Sequence, residues 1–141
     1  MAQGTVTKAK AKAAHLLVRG HGGVLAGAEH TLAPGETLVV GRSRTCDLSL
    51  RTTDVFRGRE DAAKLLLTKE FNRVSRVHCE IAYRKDGSVE IRDLSRNGTL
   101  VDGARVGRKH VVRLGGGRAK IELVDGTWGT LLLSEAPAAR S

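Results

Sequence analysis

The chain is expected to be all-β, a sandwich or barrel of short strands. Three observations predict this. Its apolar runs are only a few residues long, several of them alternate apolar with polar at period two, and turn signals recur about every eight to twelve residues. Many of its 17 glycines fall in those turns rather than inside the apolar runs.

Taken in order, Ala14 to Val18 is apolar and Gly20-His21-Gly22-Gly23 is turn material. Pro34-Gly35 separates two short strand candidates, His30 to Leu32 and Thr37 to Val40. Asp47 to Leu50 alternates and places Leu48 and Leu50 on one face. Cys79, Ile81 and Tyr83 alternate against Glu80, and Val89 and Ile91 against Glu90 and Arg92. Asp86-Gly87 between these two runs is a strong hairpin signal. The runs at Leu100-Val101, Val111-Val112, Ile121 to Val124 and Trp128 to Leu133 complete the set. Asp102-Gly103, Gly115-Gly116-Gly117 (read as a hairpin turn) and Asp125-Gly126 divide them.

One segment breaks the pattern. From about Arg59 to Phe71 the chain is rich in helix formers and lacks Gly and Pro. Glu60 and Asp61 suit the start of a helix and Lys69 its end. Glu60 and Lys64 stand in the favourable i, i+4 order. This predicts a short helix inserted in the loop before Ser75, within about residues 54–72. Covering an open end of the sandwich is its expected role, with shaping a groove beside Ser75 as the second reading.

Length allows one domain with a real core. It is placed at residues 14–134, between a flexible basic N-terminal tail (1–13) and a C-terminal tail (135–141). No apolar run approaches the roughly 18 residues of a membrane span. No signal-peptide stretch follows the N-terminus, so a cytoplasmic location is expected. Cys46 and Cys79 are too few for a disulfide scaffold, which agrees.

The net charge of +9, from 24 Lys+Arg against 15 Asp+Glu, favours an anionic partner: phosphopeptide, acidic protein or nucleic acid. Aromatic residues make up only 3%, dispersed as Phe56, Phe71, Tyr83 and Trp128. They form a poor stacking platform for single strands, so nucleic acid is disfavoured.

Three short pieces then stand out. Gly41-Arg42-Ser43 ends one apolar run, Ser75-Arg76-Val77-His78 begins another, and Asn97-Gly98-Thr99 occupies a turn. An arginine fork, a serine hydroxyl and an asparagine amide at strand ends suit a phosphorylated peptide. Each also has an ordinary reading: a surface arginine, a turn-capping serine, a common Asn-Gly turn. Catalysis is poorly supported. Ser75 and His78 are expected on opposite faces, with no acid evidently placed to orient the histidine. Cys46, His78, Cys79 and His110 lack zinc-site spacing, and Gly115-Gly116-Gly117 has no P-loop lysine pattern. No enzyme activity, metal or cofactor is expected.

Together with Cys46 to Leu50 and Asp93 to Thr99, these pieces resemble the signature of a forkhead-associated (FHA) domain, from about Ala14 to Leu133. The resemblance implies a β-sandwich of about eleven strands whose loops at one end bind phosphothreonine. Carried over by position, it implies phosphopeptide contacts from Arg42, Ser43, Ser75, Arg76, Arg96 and Asn97. Gly41, His78, Gly98 and Thr99 would support the site. Arg96 stands where the family often has a small hydroxyl residue, which puts the detail of the pocket in doubt. The implied role is an adaptor in Ser/Thr kinase signalling, with threonine-phosphorylated proteins, Ser/Thr kinases or their substrates as partners, and no membrane. The alternatives are a basic nucleic-acid-associated protein and a scaffold whose groove is unused. A phosphorylated Thr5 or Thr7 in the tail is a candidate ligand for the protein's own groove, one that could switch it off.

Overall fold

The computed structural model describes residues 14–137. Two sheets face each other. The six-stranded sheet is built from β1 (His15–His21), β2 (Glu29–Leu32), β7 (Thr99–Val101), β8 (Ala104–Arg105), β10 (Arg118–Leu123) and β11 (Thr130–Ala136), in the order β2-β1-β11-β10-β7-β8. The five-stranded sheet comprises β3 (Thr37–Gly41), β4 (Leu48–Ser49), β5 (Cys79–Tyr83), β6 (Val89–Asp93) and β9 (Lys109–Val112), in the order β4-β3-β5-β6-β9. Pairing is antiparallel except between β3 and β4.

Alternation makes the core. Leu16, Val18, Ile121, Leu123, Leu131 and Leu133 are buried from one sheet, and Leu38, Val40, Ile81, Val89 and Ile91 from the other. Cys46 and Cys79 are free and buried. β11 runs two residues past the expected domain end at 134, because Glu135 and Ala136 pair with Leu16 and His15. Glu135 also accepts the Tyr83 hydroxyl at 2.7 Å, tying the two sheets together. Thr5 and Thr7 lie outside the described residues.

Three elements differ from expectation. Gly115 to Gly117 do not close a hairpin, since β9 and β10 belong to opposite sheets and the turn carries the chain across. β8 has no apolar signal, both its residues being exposed. The single inserted helix is instead three separate turns: α1 (Asp54–Arg57), α2 (Ala62–Leu65) and α3 (Lys69–Asn72). Two threonines set where these turns begin. The Thr53 and Thr68 hydroxyls accept the Phe56 and Phe71 N–H groups, both at 3.2 Å, so Thr53 caps the start of α1 and Thr68 restarts the chain as α3 after α2. The restarts let Phe56, Leu65 and Phe71 all turn inward, which one straight helix of that spacing would not allow.

Phe71 is the anchor of this insertion. It stacks on Phe56 at 5.4 Å and meets Trp128 edge-on at 5.3 Å. The Trp128 indole N–H donates to the Glu70 carbonyl at 3.1 Å, so α3 is tied to the β10–β11 turn. Phe71→Ala is expected to cost about 3–5 kcal/mol of stability, read from urea denaturation midpoints.

Candidate functional site

Strand register brings distant segments to one rim. Val40 is paired with Cys79 and Cys79 with Asp93, so β3 ends where β5 begins and where β6 ends. Adjacent strands lie about 4.8 Å apart. The β3–β4, α3–β5 and β6–β7 loops therefore leave the sheet side by side. Those loops carry Arg42, Ser75 and Asn97.

Gly41 allows the first two loops to touch. A Cβ there would stand 2.2 Å from the Arg76 carbonyl oxygen and 2.9 Å from the His78 nitrogen, so only glycine fits. The close approach lets the N–H groups of Arg42 and Ser43 donate to the carbonyls of Ser75 and Arg76, both at 3.0 Å. Arg42 Nε donates to the Val74 carbonyl at 2.8 Å. That bond fixes the root of the guanidinium and leaves its two terminal nitrogens for a ligand. Burial, and after it the like charges of Arg76 and Arg51, lower the Arg42 pKa from its usual value. A bound anion would relieve this crowding.

Ser75 is held from two sides. Its Oγ accepts the Arg96 N–H at 3.0 Å, which leaves the hydroxyl proton to be offered outward. Its own N–H donates to His78 Nδ1 at 3.1 Å. Because Nδ1 accepts, Nε2 carries the proton and donates to the Gly98 carbonyl at 2.8 Å. His78 is fully buried, and both ring nitrogens are occupied by backbone groups. It is therefore a bolt between two loops, with no free nitrogen to act as a base toward Ser75 Oγ.

The Asn97 loop is set by an acid that sequence reasoning did not single out. Asp93 Oδ1 accepts from the Ser95 N–H at 3.0 Å and the Thr99 hydroxyl at 2.9 Å, and also from the Ser95 hydroxyl. Ser95 Oγ in turn accepts the Gly98 N–H at 2.7 Å. The signal was present as an Asp-x-Ser turn, a device repeated at Asp86–Ser88 and Asp125–Thr127. Gly98 has φ +104°, and Val124 donates its N–H to the Gly98 carbonyl at 2.9 Å. Val124 itself has φ +63°, a strained state for a β-branched residue, held at the site's edge. Asn97 Nδ2 donates to the Arg73 carbonyl at 2.8 Å, and its Oδ1 has no hydrogen-bond partner among the described residues.

These residues bound one open groove of about 790 Å³. Arg42, Ser75, Arg76, Arg96 and Asn97 line it; Ser43 does not. The Ser43 hydroxyl turns into its own loop, 2.8 Å from Thr45 Oγ1. Val77 and three residues at and just after α3, Lys69, Asn72 and Arg73, complete the wall, so the insertion shapes the groove as well as covering the core. Five lining residues are cationic and none is acidic. Among the described residues no cluster of His, Cys, Asp and Glu could hold a metal ion.

An eleven-stranded sandwich with a cationic groove on its rim is the architecture of a loop-presented binding module. A family model for the FHA domain matches residues 38–118, a stretch that includes every groove residue. The chain belongs to the FHA domain family. Its fold is similar to that of the FHA domain of CT664 from Chlamydia trachomatis (24% identity, TM-score 0.60, covering 90% of this chain and 99% of that one). It is also similar to FHA-1 of Rv1747 from Mycobacterium tuberculosis (21%, 0.57, 87% and 97%). A third is the N-terminal FHA domain of Rad53p from S. cerevisiae, solved in complex with a phosphothreonine peptide (18%, 0.55, 87% and 93%). No curated protein sequence matches the chain.

The bolt predicts a pH effect. Burial, outweighing the Gly98 hydrogen bond and Asp93, lowers the His78 pKa below its ordinary 6.5. The unfolded chain therefore takes up the proton first. The histidine's contribution is complete above about pH 6.5 and is lost as pH falls from there through the lowered folded value. Wild type is expected to lose stability between pH 7.5 and 5.5 in urea melts, whereas His78→Gln starts less stable and loses less.

Proposed function

We propose that this chain is a phosphothreonine-dependent protein-binding module acting as an adaptor in Ser/Thr kinase signalling. The observation that carries it is the meeting of Arg42, Ser75 and Asn97 on the wall of one groove. Arg42 supplies a planar fork to phosphate oxygens and Ser75 a compact neutral donor. Arg76 and Arg96 add charge beside them, and Asn97 presents its amide to the ligand backbone. Gly41, His78, Gly98 and Thr99 hold these groups in place. The yeast domain's phosphothreonine peptide supports the same ligand class here.

The partners would be Ser/Thr kinases or their threonine-phosphorylated substrates, met in the cytoplasm. No helix among the described residues is long and apolar enough to cross a membrane. The domain itself is taken as residues 14–136, since β11 pairs to its end. Recognition, with no catalytic step, would be the task of this domain.

A phosphate bears about −1.5 to −2 charges at neutral pH. Each hydrogen bond to a charged group contributes roughly 1.5–3 kcal/mol. Arg42→Ala is therefore expected to weaken a phosphothreonine peptide by about a hundredfold, and Ser75→Ala by about tenfold. Replacing phosphothreonine by phosphoserine removes one methyl, worth about 0.8 kcal/mol or roughly fourfold. Calorimetry on the purified chain with phosphorylated and unphosphorylated twin peptides tests the reading. Equal affinity for both twins, or a duplex DNA that binds as tightly and ignores Arg42→Ala, would overturn it in favour of general polyanion binding.

A further inference from the structure

We propose that the outer face of the six-stranded sheet is a second binding surface, for an extended acidic segment of a partner protein that needs no phosphate. This goes beyond the phosphothreonine reading, and the face shares no residue with the groove.

Strand alternation builds the surface. Leu16, Val18, Ala119, Ile121, Leu131 and Leu133 turn into the core, so their neighbours on β1, β10 and β11 turn out. β11 lies between β1 and β10. Its outward residues are of modest size: Thr130, Leu132 and Ser134. The strands beside it carry long cations, Arg19 on β1 and Arg118 and Lys120 on β10. Register sets these as two banks. Leu132 is paired with Arg19 on one side and Lys120 on the other, and Ser134 with Arg118. The result is a hollow of about 280 Å³ over Leu132 and Ser134, walled by Arg19, His21 and Arg118.

The positive charge of the banks is largely unspent. The Arg118 and Lys120 side chains make no ion pair among the described residues. Arg19 meets Glu29 at 3.5 Å, but both side chains are more than half exposed, and such a pair yields readily to a competing carboxylate. Glu122 is turned toward the β10–β11 corner, where its Oε2 lies 2.6 Å from the place a Cβ on Gly126 would take. Asp102 is engaged by the Lys120 backbone N–H at 2.9 Å. No acid lines the hollow.

Spacing selects the occupant. β1 and β10 lie about 10 Å apart, twice the strand separation, which leaves room for one extended chain between the banks. Arg118 and Lys120 are two apart on one strand, about 6.6 Å along it. Acids two residues apart in an extended ligand have the same spacing, and the residue between them points toward Arg19. Leu17 and Leu132, both half-buried, give the floor an apolar component. No aromatic residue lines the hollow, so the bases of a nucleic-acid strand would find nothing to stack on.

The test is a fluorescence-anisotropy titration of the full chain at low salt. One labelled peptide carries two Glu residues separated by one residue, with a Leu nearby. Its twins carry Gln for Glu, or the two Glu residues side by side. A phosphothreonine peptide with neutral flanks and a single-stranded DNA oligomer are measured beside them. The spaced-Glu peptide is expected to bind about three- to tenfold tighter than the Gln twin, with the adjacent pair between them. Arg118→Glu combined with Lys120→Glu should bring the Glu-to-Gln ratio to one or below while leaving the phosphothreonine peptide unchanged. Arg42→Ala should do the reverse. Both β10 cations are exposed, so the double variant should fold, which circular dichroism checks; Arg118→Gln with Lys120→Gln is the milder version of the same test. If Glu gains nothing over Gln, if the gain survives both double variants, or if it vanishes with Arg42→Ala, this inference is wrong. DNA that binds more tightly than the Glu peptide, and is lost with the same double variant, also overturns it. The phosphothreonine reading is judged separately, by its own peptide.

Discussion

The imidazole of His78 is the joint on which the groove depends. It takes the Ser75 N–H on one nitrogen and gives a proton to the Gly98 carbonyl on the other. One side chain thereby sets the distance between the loop that presents a hydroxyl and the loop that presents an amide. A buried histidine with both nitrogens matched contributes more by this placement than by its net hydrogen-bond energy, which is about 1 kcal/mol per bond. Leaving either partner unmatched in the interior would cost more than the bond returns. The joint is therefore exacting about its tautomer and its charge.

A second layer stands behind it. Gly41 lets β3 and the Ser75 loop run at backbone distance, and Asp93 gathers Ser95 and Thr99 under the Asn97 turn. The α3 wall is held by a ring cluster of Phe56, Phe71 and Trp128. None of these groups needs to touch a ligand. They remove freedom from the side chains that line the groove, so little ordering would remain to be done on association.

The strand pattern was legible because alternation and turn residues are local signals, and both Asp86-Gly87 and the Val89–Ile91 run sit where they were expected. The groove was legible in part, because Arg42, Ser75 and Asn97 each occur at a strand end. Other features depend on information that a single segment does not carry. Whether Gly115 to Gly117 turn back or cross over depends on which sheet receives β10. The three turns of the insertion depend on Phe71 being drawn toward Trp128, a residue far along the chain. Ser43 follows an arginine that points into the groove, yet its own hydroxyl closes a loop with Thr45. Lys69 looked like a helix-end charge and became a wall residue once the helix restarted at Thr68.

Asn-Gly is the dipeptide most prone to age chemically, through attack of the glycine nitrogen on the asparagine side chain to give a succinimide and then aspartate. Here the Gly98 N–H is engaged by Ser95 Oγ, and the Asn97 amide is moored to the Arg73 carbonyl. Neither reacting group is free to rotate toward the other. The chain thus retards deamidation where it would do most harm, since an aspartate at Asn97 would set a negative charge inside a basin of arginines.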